Sequence, residues 1–303
     1  MTVFTYFFKK NAQNVGLFCI FLYLCKQMSK YLINSHGWLL DSSTPVVMAI
    51  INVTPDSFYA TSRVNDEASI LQHAEQALAE GADWLDIGAC STRPGSEQPT
   101  PEQEWQRLES ALRPLRAHFP EARLSVDTYR SDIARRAVWE YGVNLINDIS
   151  GGEMDAAMFG CVAALRVPYI LSHMRGAPQT MQQLTDYDNL MQEIVHFFQL
   201  RLDQLHRLGV TDVILDPGFG FAKTRQQCFY LLSHLSDLQV LECPVMVGLS
   251  RKSMLSADAQ QALPATIAAN MAALMGGAQI LRVHDVRAAK ETIRIFNELA
   301  NNQ

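Results

Sequence analysis

Short apolar runs alternate with helical patterns from residue 46 to the end of the chain. The runs are rich in β-branched residues and mostly lack alternation with polar positions, which is typical of strands buried on both faces of a parallel sheet. They predict eight strands, at residues 46–53, 84–88, 124–127, 145–149, 169–172, 213–215, 245–248 and 280–283.

The segments between these strands carry the period of about 3.6 residues that predicts amphipathic helices. Residues 67–80 and 188–208 show it most clearly. The second segment places its apolar residues on one side: Leu190, Met191, Ile194, Val195, Phe198, Leu202 and Leu205. Glycines follow the helical segments and are predicted to end them as C-terminal caps, at Gly81, Gly142, Gly209 and Gly277.

Eight strand–helix units in about 255 residues match a closed α/β barrel, which typically has about 250 residues. An open sheet fits less well, because no edge strand is marked and no G-x-G-x-x-G turn follows a strand. The sequence therefore predicts an α/β protein with a single (β/α)₈ TIM-barrel domain over residues 28–303.

Residues 1–27 form a separate apolar extension. Its apolar run, residues 15–25, is too short to span a bilayer, which needs about 20 residues. Basic residues precede the run as in a signal peptide, but no small-residue cleavage site follows it. We expect the extension to be dispensable or to precede the true start at Met28.

Composition narrows the class of protein. Apolar residues make up 48% of the chain and charged residues 18%, which predicts a large core. The net charge of −6 argues against nucleic acid as a partner, because that needs a basic face. The six cysteines form no C-x-x-C pair and fit a reducing cytoplasm, and the histidines form no H-E-x-x-H zinc motif.

Polar residues stand at the carboxyl ends of several predicted strands, where parallel barrels keep their chemistry. Asp127, Asn147 and Asp216 follow apolar runs and are expected to be partly desolvated. Neither aspartate has a lysine or arginine close by in the sequence to neutralise it. A ligand with amide-like N–H donors, such as a pteridine or purine edge, would supply hydrogen bonds to these carboxylates. The simpler alternative is that the side chains cap helices or form structural hydrogen bonds.

Cationic and hydroxyl groups follow other strands. Thr92 and Arg93 lie in a loop after the second strand that could grip an anion. Lys252 follows the seventh strand, and Arg282 and His284 end the eighth, where barrels often bind phosphate. Asn52 ends the first strand and could ligate a hard cation or hold a phosphate oxygen, although a turn-forming role is also open. We expect His173 to be structural.

These motifs together resemble the dihydropteroate synthase family. The matching stretches occur in the family's order over residues 46–303 and read IINVTPDSF, DIG, STRPG, SVDT, IND, LDPGFGF, SRKS and RVHDV. The chain departs from the family pattern after Phe58, where many members have a glycine pair, and at Cys90.

The resemblance implies that a dihydropterin diphosphate is condensed with 4-aminobenzoate, releasing diphosphate, with Mg²⁺ as cofactor and a homodimer as the assembly. It implies a pterin grip by Asp127, Asn147, Asp216 and Lys252. Diphosphate would be held by Asn52, Thr92, Arg282 and His284, with Asn52 also near the metal. Arg93, Pro94 and Ser253 would help to form the aminobenzoate site.

Two alternatives stay open on the sequence. A pterin-dependent methyltransferase would share the barrel and the pterin grip but would need no diphosphate site. A catalytically silent relative would bind pterin or a partner protein without turnover.

Overall fold

The computed structural model describes residues 32–35, 38–41, 44–53, 63–90, 98–258 and 261–302. The predicted extension, residues 1–27, lies outside the described residues, as does the loop that carries Thr92, Arg93 and Pro94.

Two antiparallel strands precede a sheet of eight parallel strands. The pair is β1 (Leu32–Ser35) and β2 (Trp38–Asp41). The eight are β3 (Val46–Asn52), β4 (Trp84–Gly88), β5 (Leu124–Asp127), β6 (Leu145–Asp148), β7 (Tyr169–Ser172), β8 (Val213–Asp216), β9 (Met246–Val247) and β10 (Ile280–Val283).

Helices follow the parallel strands along the chain. They are α1 (Arg63–Ala79), α2 (Pro101–His118), α3 (Ser131–Tyr141), α4 (Met158–Leu165), α5 (Leu190–Arg207), α6 (Arg225–Ser233), α7 (Leu263–Met275) and α8 (Val286–Asn301), with 3₁₀ turns at Met181–Gln183 and Leu235–Leu241. None of these helices is both long and apolar enough to cross a bilayer.

The sheet runs in the order β8-β7-β6-β5-β4-β3-β10-β9, and a bridge between Leu215 and Val245 brings its two ends together. The predicted (β/α)₈ barrel is therefore confirmed. The predicted strand at residues 245–248 is shorter than expected, because only Met246 and Val247 form a ladder. Beside them the side-chain oxygen of Gln279 accepts the Val245 N–H at 2.7 Å and takes the place of a strand partner.

Helix ends follow local chemistry. Thr100 and Thr224 cap α2 and α6 through reciprocal bonds with a glutamine three residues later. The four glycines predicted as caps all have positive φ, between 59° and 96°. This left-handed backbone is nearly free of strain only for glycine, so these positions stop the helices where the sequence indicated.

An apolar layer lies inside the barrel at the amino ends of the strands. It is distinct from the larger apolar core. Trp84 lies in this layer, and Ile33 of β1 joins it although it belongs to the antiparallel pair. The Asn34 N–H donates to Asp212 at 2.7 Å, and the Ser35 hydroxyl donates to the carbonyl of Asn144 at the same distance. The β1–β2 hairpin therefore closes the amino end of the barrel, which leaves the carboxyl end as the open mouth.

Candidate active site

The strand register gathers polar residues at the carboxyl end of the barrel. Asn52 pairs with Gly88, Gly88 with Asp127, and Asp127 with Asn147. Paired residues of parallel strands project to the same face, so this row faces the barrel interior together. An ideal Cβ on Gly88 would lie 3.6 Å from a carboxylate oxygen of Asp127 and 3.8 Å from the amide oxygen of Asn52.

Asp86 lies one level below this row and organises it. Its side chain is fully buried and accepts three hydrogen bonds. Ser125 Oγ donates to Oδ1 at 2.6 Å, while Asn147 Nδ2 and Arg282 Nε donate to Oδ2 at 3.0 and 2.7 Å. One carboxylate therefore fixes side chains from three other strands.

Arg282 bridges two carboxylates. Its Nη2 donates to Oδ2 of Asp127 at 2.8 Å while its Nε holds Asp86. Burial disfavours the charged guanidinium, but Asp86 and Asp127 outweigh it and raise the pKa of Arg282. No lysine or arginine near Asp127 in the sequence neutralises it, and β10 instead supplies the cation from the far end of the sequence.

The pKa of Asp127 is raised although Arg282 is its partner. Burial raises its pKa to about 7, and the carboxylates of Asp86, Asp148 and Asp216 add to the rise while Arg282 opposes it. A carboxyl group that titrates near neutrality can either accept or share a proton with a bound ring.

Asn147 has an open acceptor. Its Nδ2 is engaged by Asp86, whereas its buried Oδ1 has no hydrogen-bond partner among the described residues. A buried, unpaired amide oxygen is costly, so a ligand N–H at this position would remove the cost. This atom is the most direct sign of where a ligand with ring N–H groups would bind.

Asp216 and Lys252 both contact the turn that follows β8. Asp216 Oδ1 accepts the Gly218 N–H at 2.9 Å, and Oδ2 accepts the Ser172 hydroxyl at 3.3 Å. Lys252 Nζ donates to the carbonyl of Phe219 and lies 4.4 Å from the centre of the Phe221 ring. Burial lowers the pKa of Lys252, with Asp216 opposing.

The ends of β9 and β10 come together at the mouth. The Ser250 hydroxyl lies 3.1 Å from Nδ1 of His284, which is exposed. Arg251 forms a two-bond pair with Asp285 at 3.1 and 2.6 Å, and this pair joins the two loops. Ser253 is exposed next to Lys252. The structure thus places His284 and Ser253 at the rim, and Arg282 deeper.

The loop that carries Thr92, Arg93 and Pro94 is described only at its two ends. Arg107 donates to the carbonyl of Ala89 at 3.2 Å, and Arg130 donates to that of Pro99 at 2.8 Å. The roles expected for Thr92, Arg93 and Pro94 therefore stay predictions.

Asn52 is the residue expected from the sequence to lie near a metal ion. No cluster of three or more histidine, cysteine or acidic side chains within the described ranges could hold a metal ion. Mg²⁺ often uses few protein ligands and completes its shell with substrate phosphate and water. The exposed amide of Asn52 beside Asp127 fits such a shared site, in which a diphosphate supplies most of the oxygens.

Sequence reasoning missed two buried residues of this region, Asp86 and Lys223. Each carried a signal: Asp86 is an acid in the middle of an apolar strand, and Lys223 is a lysine directly after the apolar pair Phe221 and Ala222 in the turn that follows β8. His173 is buried and hydrogen-bonded, as the structural role predicted for it requires.

A family model described as "Pterin binding enzyme" matches residues 48–284, which include all or part of each of the eight barrel strands and nearly all of the mouth described above. The fold and the site thus agree with the class of barrel enzymes that bind a pterin. The chain belongs to the pterin-binding enzyme family.

Within that family, the similarity is to dihydropteroate synthases. The Synechocystis enzyme is 38% identical over 260 residues, covering 84% of this chain and 89% of the relative. The Yersinia pestis structure with a sulfonamide drug has a TM-score of 0.83 at 37% identity, covering 89% and 100% of the two chains. The Xanthomonas albilineans structure with 7,8-dihydropteroate has a TM-score of 0.79 at 32% identity, covering 89% and 98%.

Proposed function

We propose that this protein is an enzyme of folate synthesis that condenses 6-hydroxymethyl-7,8-dihydropterin diphosphate with 4-aminobenzoate. The reaction forms a bond between the amine nitrogen and the pterin methylene carbon, breaks the carbon–oxygen bond to diphosphate, and releases a proton from nitrogen. This makes the enzyme a transferase of a pterin-methyl group. The observation that carries the proposal is the convergence of Asp127, Asn147 and Asp216 at one barrel mouth.

The pterin is assigned to the acidic side of the mouth. Asp127 and Asp216 accept N–H groups of the ring, and the unpaired Oδ1 of Asn147 accepts another. Lys252 contributes its ammonium from the loop after β9. Carboxylates near the ring also favour positive charge that develops there as the leaving group departs.

The diphosphate is assigned to the cationic side. Arg282 uses Nε and one Nη on carboxylates, which leaves further N–H donors of its five for phosphate oxygens. His284, oriented by Ser250, adds a second donor at the rim. When bound, Mg²⁺ held by Asn52 would offset the negative charge of the leaving diphosphate. Most of the rate enhancement then comes from positioning and electrostatics.

The second substrate is assigned to the rim near Ser253, with Arg93 and Pro94 from the loop after β4. A sulfonamide drug is bound in the Yersinia pestis relative. We expect sulfonamides to compete here with 4-aminobenzoate and not with the pterin.

A coupled assay of diphosphate release tests the reaction. Release that requires both the pterin diphosphate and 4-aminobenzoate supports the proposal. Methyl transfer to a corrinoid partner, without diphosphate release, would instead identify a pterin-dependent methyltransferase. Tight pterin binding with no release in any condition would identify a silent relative.

The assembly is proposed to be a homodimer through α7. This helix contains no charged residue, and its outer face exposes Leu263, Ile267 and Met275 by 36, 39 and 51%. A helix that is apolar on all sides is typical of a buried position, and a second copy of the chain would cover this face symmetrically.

Sedimentation equilibrium tests this assembly. The wild type is expected to sediment as a dimer and Ile267→Lys as a monomer. Trp139→Lys, which changes an exposed apolar residue on α3, should leave the dimer intact. A dimer that survives Ile267→Lys would contradict the assignment.

A cytoplasmic location is also proposed. The cysteines that the structure describes, Cys90, Cys161, Cys228 and Cys243, form no disulfide, which agrees with a reducing compartment. Fractionation of cells that express the protein tests this, and recovery with the membranes would contradict it.

A further inference from the structure

The turn after β8, residues 217–222, lies between two lysines. Lys252 Nζ holds the carbonyl of Phe219 from the side of the mouth. Lys223 Nζ holds the carbonyls of Gly218 and Phe221, at 3.1 and 3.0 Å. Every carbonyl bound in this way belongs to the same short turn, so both ammonium groups fix its backbone.

Lys223 is an interior residue, only 3% exposed. Its third polar contact is Nδ1 of His173, at 2.9 Å, and the His173 ring packs edge-on against Phe197 with centroids 4.7 Å apart. Two backbone carbonyls, together with Nδ1 of His173 in the tautomer that carries its proton on Nε2, match the three N–H donors of an ammonium. Burial lowers the pKa of Lys223 to about 7 and the pKa of His173 well below its ordinary value.

The turn itself shapes the pterin side of the mouth. The Gly218 N–H binds Asp216 Oδ1 at 2.9 Å, and Gly218 has a φ of 68°. A Cβ there would lie 2.1 Å from the carbonyl oxygen of His173, so the turn is packed directly against the end of β7. The Phe221 ring, 4.4 Å from Lys252 Nζ, supports that lysine.

We propose that Lys223 is a positioning residue that clamps the turn from inside and thereby sets the geometry of Asp216 and Lys252 for the pterin. The inference rests on the proposed function, since it assigns these two residues to the pterin. Lys223 acts through the turn: it binds the carbonyl of Gly218, whose N–H binds Asp216, and the carbonyl of Phe221, whose ring lies against Lys252.

A substitution of Lys223→Met tests this role, because it keeps the length of the side chain and removes its donors. We expect the KM for the pterin diphosphate to rise about tenfold, equivalent to about 1.4 kcal/mol. The KM for 4-aminobenzoate should stay within about twofold, because none of the three groups that Lys223 contacts is assigned to that substrate. The melting temperature should fall only modestly, because the loss of donors to the carbonyls of Gly218 and Phe221 is offset by removal of the cost of burying an ammonium.

Lys290→Met is the matched control. Lys290 pairs with Asp83 at 2.6 Å near the opposite end of the barrel, so both KM values should be unchanged. If Lys223→Met does not fold, Lys223→Gln carries the same test. Its amide retains N–H donors for the turn, so a smaller rise that is still selective for the pterin KM is expected.

Equilibrium binding of the pterin diphosphate, followed by fluorescence, separates the two proposals. Wild type that binds but releases no diphosphate would overturn the proposed function, while pterin affinity lowered by Lys223→Met would still support the clamp. If affinity for both substrates falls equally in Lys223→Met, or if a folded variant loses no affinity for the pterin diphosphate, the positioning role of Lys223 is overturned.

Discussion

Asp86 shows how one buried charge orders a whole site. It accepts hydrogen bonds from Ser125, Asn147 and Arg282, so the positions of a hydroxyl, an amide and a guanidinium depend on one carboxylate. The residues expected to touch substrate are thus held in place before substrate arrives, which reduces the ordering needed on binding.

Asp86→Asn is expected to be strongly destabilising. It removes one of the two charges that balance Arg282 and leaves the guanidinium with Asp127 alone. Removal of one partner from a buried ion pair typically costs about 3–5 kcal/mol. Urea denaturation measures this loss. Ser125→Ala, which removes a single neutral donor from the same carboxylate, is the control and should cost about 1 kcal/mol. Equal, small losses in both variants would contradict the central role of Asp86.

Asp127 makes stability depend on pH in an identifiable window. Its pKa is about 7 in the folded protein against an ordinary value of 3.8. Between these values the folded state binds more protons than the unfolded chain, so this group lowers the free energy of unfolding as pH rises from about 4 to 7.

Asp127→Asn should remove that dependence. The free energy of unfolding of both proteins is measured by urea denaturation at pH 5 and at pH 8. Between these pH values it is expected to fall more in the wild type than in the variant, by roughly 1–4 kcal/mol. The same variant should bind pterin more weakly, because a pure acceptor becomes a mixed donor. Parallel pH profiles would show that Asp127 titrates at an ordinary pH.

At the scale of elements, β9 depends on a side chain from its neighbour. Only two residues of β9 form a ladder, and Gln279 Oε1 accepts the Val245 N–H beside them. Gln279→Leu leaves this buried N–H unpaired, so a loss of about 1–3 kcal/mol is expected in thermal or urea unfolding.

An exposed glutamine supplies the comparison. Gln76 bonds to Glu80 on the outer side of α1, and Gln76→Leu should change stability by less than about 0.5 kcal/mol. If both substitutions have the same effect, the closure of the barrel does not depend on Gln279.

The strands and their order were predictable because apolar runs, helical periods and cap glycines agree along the chain. The residues at strand ends were predictable too, since parallel strands deliver them to one rim. The ion pairs could not be predicted from the sequence. Arg282 reaches Asp86 and Asp127 only after the barrel closes, and no local pattern records a contact between the second, third and last strands.

The β1–β2 hairpin was also absent from the prediction. Its strands have four residues each, and their pattern is too short to separate from a loop. Its role follows from tertiary packing alone, because Ile33 completes an apolar layer made by the amino ends of the barrel strands.

For the whole molecule, two truncations separate the extension from the hairpin. A chain that begins at Met28 should keep the melting temperature and activity of the full chain. A chain that begins at Pro45 loses Ile33 and uncovers the layer around Trp84. Burial of an isoleucine contributes about 1.5–3 kcal/mol, so its melting temperature should fall by about 5 °C or more. Equal melting temperatures would contradict a sealing role for the hairpin.

The pairing of β3 with β10, which sets Val46 opposite Ile280, has a consequence for synthesis on the ribosome. One edge of β3, the first barrel strand, stays without its hydrogen-bonding partner until nearly the entire chain has been translated. Contacts between such distant positions form slowly, and open edges invite association with other nascent chains. We therefore expect a high yield of folded protein to require slow synthesis or chaperones, which limit aggregation of the incomplete chain until its final strand emerges from the ribosome.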